Sequence, residues 1–77
     1  MESALALQAL AIIIGDDGLR QRFLALTGYD GATIRAQAAS TAMAEAVAAF
    51  LSGHEPDLLQ VAGRLGVAPN MLVENPS

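Results

Sequence analysis

The chain has 77 residues, a formal net charge of −4, four arginines with no lysine, and no cysteine. A chain this short forms one domain over residues 1–77 and buries only about 60% of its unfolded surface, which leaves little room for a deep polar cleft. The lack of cysteine excludes a disulfide framework, a thiolate metal site and a cysteine nucleophile, and eight acids against four arginines is the wrong balance for nucleic-acid phosphates or anionic membrane surfaces.

Sixteen alanines and eleven leucines dominate the apolar half of the composition. Both lose little side-chain entropy in a helix, and long alternating Val/Ile/Thr runs are missing, so an all-α fold is expected. Taken in chain order, a first helix is predicted over residues 3–14, with Gly15 just past its end. Its apolar run from Ala4 to Ile14 is eleven residues long, whereas a membrane span needs about 20. A signal peptide would carry positive charge ahead of that run, where the chain has Met1, Glu2 and Ser3, so no targeting segment is expected. A second helix is predicted over residues 18–27, capped by Asp16 or Asp17 and ended by Gly28. Its Leu19, Phe23 and Leu26 share one face, with Arg20 and Arg22 directed to water.

Asp30 caps a short third helix, residues 31–39, with a thin apolar face of Ile34 and Ala38. Ser40 or Thr41 caps a fourth helix, residues 41–52, whose stripe is Met43, Val47, Phe50 and Leu51; Gly53 ends it. A fifth helix opens at Pro56, well suited to a first turn. It carries Leu58, Leu59, Val61, Ala62 and Leu65, and stops at Gly66. Pro69 then opens one last turn through Met71, Leu72 and Val73, followed by a frayed tail of Asn75, Pro76 and Ser77. The expected architecture is a compact bundle of about five short helices plus a C-terminal turn. Leu7, Leu10, Phe23, Leu26, Ile34, Val47, Phe50, Leu58, Val61 and Leu65 are its expected core.

The string Phe23-Leu24-Ala25-Leu26-Thr27-Gly28, followed by Ile34-Arg35, resembles a small alphaproteobacterial family of helical proteins of unknown function. The opening Ala4-Leu5-Ala6-Leu7-Gln8-Ala9-Leu10, the pair Phe50-Leu51 and residues 62–69 are similar to the same family, so the likeness spans nearly the whole chain. It implies a bacterial source and brings no activity with it.

Chemistry-bearing constellations are few. His54 stands beside Glu55 and Asp57, but no second His or Cys completes a transition-metal site. Acids in the first turn of a helix complement its dipole instead. Asp16-Asp17-Gly18 lacks the twelve-residue ligand spread of a calcium loop and reads as a capped turn. His54 with Ser40 or Ser52 makes no arrangement that sequence can place, and the glycines are scattered rather than gathered in a phosphate loop. Residues 62–72 resemble a helix-turn-helix, yet the second helix would expose Asn70 and Glu74 with no cation, so a turn that only packs the core is favoured. Arg20, Arg22 and Arg35 could gather near the Thr27–Gly31 loop and, with Tyr29, hold an anionic group of a partner. The plainer reading is a solvated face.

The first helix is apolar on more than one side. Leu7, Leu10 and Ile14, widened by Ala6 and Ile13, form one stripe, and Leu5 with Ile12 form another roughly opposite. A helix without a polar back is either central to its own bundle or covered by a partner. The expectation is a small cytoplasmic protein-interaction module that binds a protein partner or forms a homodimer. The alternative is a degenerate helix-turn-helix associated with nucleic acid. No enzymatic activity, cofactor, metal, nucleic acid or membrane is expected. The candidate partner surface is Leu5, Ile12, Tyr29 and Arg35.

Overall fold

Local hydrogen bonds set where each helix begins. In the computed structural model, which describes residues 1–73, the Glu2 carboxylate accepts from the Ala4 and Leu5 N–H groups at 2.8 and 3.2 Å and opens α1 (Ser3–Gly15). Asp16 accepts from Leu19 N–H at 3.0 Å and opens α2 (Asp17–Thr27). Asp30 accepts from Thr33 N–H at 2.7 Å and opens α3 (Gly31–Gln37). Ser40 Oγ accepts from Met43 N–H at 3.0 Å and opens α4 (Thr41–Ser52). These are the side-chain acceptors that helix N-termini require. α5 (Glu55–Leu65) starts without a side-chain cap but with Pro56 and two acids in its first turn. It ends at Gly66, whose φ of 70° suits glycine. A single turn, α6 (Asn70–Val73), follows. The expected exposure of Glu74 and the tail at Asn75, Pro76 and Ser77 fall outside the described residues.

Among the described residues there are six helices and no strand. The third helix stops at Gln37, two residues earlier than predicted, because Ser40 takes an extended conformation to cap α4. The chain from Ala38 to Ser40 therefore turns, with Ser40 N–H donating to the Gln37 carbonyl at 2.9 Å.

α1 is the central element, packed against α2, α4, α5 and α6. α4 is its main neighbour and also carries α3. The core gathers Leu10 and Ile13 with Leu19, Phe23, Ile34, Met43, Val47, Phe50, Leu51, Val61 and Leu72. Phe23 and Phe50 meet edge to face with ring centroids 5.2 Å apart, the geometry aromatic quadrupoles prefer. All four residues of the predicted α4 stripe are buried.

Two expected core positions are corrected. Leu7 is exposed, because α1 seats the row Leu5, Ala9, Ile13 together with Ala6 and Leu10. The small Ala6 and Ala9 are buried on that side, and Leu7 turns outward. The second stripe is thereby covered by the chain's own helices: Leu5 is in the core and Ile12 is half-buried against it. Leu26 is also exposed, at 75%. Its direction is right, only about 20° from Leu19 at 100° per residue. The last turn of α2 overhangs Ala46 and Ala49 of α4, which are too short to reach it. Leu58 and Leu65 are half-buried and packed on the core.

Candidate binding groove

The overhang of α2 leaves an open groove of about 520 Å³ between α2, α4 and α5. α4 contributes Ala46, Ala49 and Phe50, α2 contributes Leu26 and Thr27, and Gly53 closes the α4 end. Thr27 spends its hydroxyl on nearby backbone, donating to the Phe23 carbonyl at 2.7 Å and accepting from Tyr29 N–H, just past the end of α2, at 3.2 Å. The groove is apolar along most of its length for that reason.

Its polar end is Arg22, His54 and Asp57. Pro56 fixes the start of α5 so that His54 is the N-cap and Asp57 falls three residues later, in the first turn. Asp57 is 3% exposed, the one buried charged residue of the described chain. Arg22 reaches it across 35 residues of sequence in a two-pronged contact. Nε donates to Oδ2 at 3.2 Å and Nη2 donates to Oδ1. His54 Nδ1 lies 3.1 Å from Oδ2. A buried carboxylate needs this kind of pairing, and the forked guanidinium supplies it with fixed geometry. Both partners keep about half of their side-chain surface in solvent.

A second polar junction ties α2 to α5. Asp16, besides capping α2, accepts from Gln60 Nε2 at 3.3 Å and lies 3.8 Å from Arg64 Nη2. The Leu19 N–H, with Gln60 and Arg64, holds its carboxyl below the usual carboxylate range. Asp30 is lowered in the same way by the Thr33 N–H. The Asp16-Asp17-Gly18 segment is thus a capped turn, as read from sequence, and no metal-ligand cluster exists among the described residues.

The residues singled out in the sequence fall elsewhere. None of Leu5, Ile12, Tyr29 and Arg35 lines the groove. Leu5 is buried inside the chain's own core, so it offers no surface to a partner. Tyr29 is half-buried with its ring 6.3 Å from Phe23, and Arg35 is exposed in the last turn of α3. Arg20 and Arg22 do not converge on an anion site. Arg20 pairs with Asp17 at 2.7 Å and donates to the Ile14 carbonyl, while Arg22 pairs with Asp57 and keeps the other half of its side chain in solvent. The Arg22–Asp57 contact left no mark in the sequence. The His54–Asp57 spacing did, since i and i+3 are neighbours on a helix. The helix-turn-helix segment packs inward, with Ala62 and Leu72 buried and Val67 against the core.

Fold and groove together define a small all-helical domain with an open apolar recess and one buried, paired carboxylate at its end. The chain belongs to the family described as Protein of unknown function (DUF3572), whose model matches residues 2–76. No curated protein and no solved structure shows significant similarity to it. Among the described residues, no helix is long and apolar enough to cross a membrane.

Proposed function

We propose that this domain is a protein-interaction module that engages its partner through the α2–α4–α5 groove. One observation carries the reading: Leu26, three-quarters exposed, stands on the lip of an apolar recess floored by Phe50 and two alanines. A leucine in that position is costly to leave in water, and contiguous exposed apolar surface marks interaction sites. The module works without catalysis of its own. Ser40 and Ser52, the hydroxyls that sequence offered to His54, both serve their own helix, Ser40 as the α4 cap and Ser52 through the Ala49 carbonyl. Nucleic acid is a poor fit. The described residues of α6, Asn70–Val73, carry no cation, and the chain is acidic. The cysteine-free composition and the family likeness support a bacterial cytoplasmic setting.

The test is co-purification from native lysate, followed by binding of the identified protein in purified form to wild type, Leu26→Asp and Leu7→Asp. Leu7 is the control, an exposed leucine of α1 outside the groove. Loss of at least about tenfold in affinity with Leu26→Asp alone is expected, equal to about 1.4 kcal/mol. A partner that binds Leu26→Asp as tightly as wild type overturns the reading.

A further inference from the structure

We infer that the groove is a homodimer face: a second copy of this chain inserts its Leu26 into the groove of the first and receives the first copy's Leu26 in return. The inference rests on the interaction-module reading and names its occupant. Two observations point to a second copy. First, the projection and the recess lie on one face. Leu26 is the most exposed large apolar residue of the described chain and is itself part of the groove wall. A twofold contact requires that arrangement, since residue i meets residue j while j meets i. A partner with its own anchor residue would need only the recess.

Second, the charges fit. Arg22 and Asp57 cancel, so with His54 neutral the ionic groups of the groove sum to zero. The whole net charge of −4 therefore lies on the rest of the chain. Two copies approaching through any strongly acidic surface would repel, whereas the groove lining sets no net like charge against itself. The alanines at 46 and 49 give the incoming leucine its space, and the Phe50 ring its apolar floor.

Mass in solution tests this directly, by sedimentation equilibrium from micromolar concentration to about 1 mM. Wild type should pass reversibly from 7.9 kDa toward twice that mass. Leu26→Asp should stay monomeric over the same range with an unchanged circular dichroism spectrum. Ala49→Leu, which fills the recess from inside, should do likewise, and Leu7→Asp should dimerise as wild type does. In a mixed sample of labelled and unlabelled chains, isotope-filtered spectra should show contacts from Leu26 methyl groups to the Phe50 ring of the other copy. A wild type monomeric at the highest concentration overturns the inference, as does a dimer that Leu26→Asp leaves intact or that lacks those contacts. If wild type is monomeric while Leu26→Asp still loses a different protein partner, the homodimer falls and the interaction-module reading stands.

Discussion

Removing Arg22 should cost much more than removing the carboxylate it holds. Asp57 is almost fully buried, whereas half of the Arg22 side chain meets solvent. In Arg22→Met the carboxylate stays buried with only His54 Nδ1 and the start of α5 beside it. Breaking a buried pair by deleting one partner costs about 3–5 kcal/mol. Solvent on the arginine side and the remaining imidazole lower that here to about 1–3 kcal/mol. In Asp57→Leu the freed guanidinium simply rehydrates, and the loss is about 0.3–1 kcal/mol of first-turn dipole interaction plus any misfit of the leucine. The double variant removes both charges and should be more stable than Arg22→Met alone. Urea denaturation of the four proteins of this cycle gives the coupling directly. Arg20→Met is the comparison, because its partner Asp17 is 84% exposed and such pairs are worth about 0–1 kcal/mol. At about 4–8 °C per kcal/mol for a domain of this size, Arg22→Met should lower Tm by roughly 10 °C. Equal losses for Arg22→Met and Arg20→Met, or a double variant no better than Arg22→Met, would refute the reasoning.

Phe23→Ala empties a fully buried site against Phe50 and should cost about 3–5 kcal/mol. That is a large share of a total near 4–12 kcal/mol, and a urea midpoint close to wild type would contradict the packing. Gly66→Ala forces a side chain to φ +70 and should destabilise by about 1–2 kcal/mol, while Gly63→Ala, helical with open space at Cβ, should stabilise by about 0.4–1 kcal/mol. Thermal melts of the two should shift in opposite directions. The caps predict the acid limb of stability. Asp16 and Asp30 are lowered below 3.8 in the folded chain, so their contribution is full above the unfolded value and is lost as pH falls through the folded ones. Wild type should therefore lose more stability between pH 5 and 2 than Asp16→Asn/Asp30→Asn, and parallel pH profiles would count against the caps.

Most helix boundaries were legible in the sequence because the interactions that make them are local; Gly15, expected just past the first helix, is its last residue. A cap acceptor and the amide it serves are three residues apart at Asp16, Asp30 and Ser40, and Gly28 and Gly66 mark their ends by backbone freedom alone. The α4 stripe was legible too, since the large residues of that helix occupy one face among alanines and any packing must bury them together.

Only the tertiary structure decided which way α1 faces, where α2 overhangs, and what Arg22 does. α1 is apolar on more than one side, so periodicity carries no orientation, and only packing shows that Leu5, with Ala6 and Ala9, faces the core and Leu7 does not. Leu26 points correctly along its own helix, but burial depends on what stands opposite, and alanines stand there. Arg22 and Asp57 are 35 residues apart and meet because the middle of α2 and the first turn of α5 border one groove. A contact of that kind is set by the packing of whole helices, whose positions follow from the summed fit of many small side chains rather than from any one stretch of sequence.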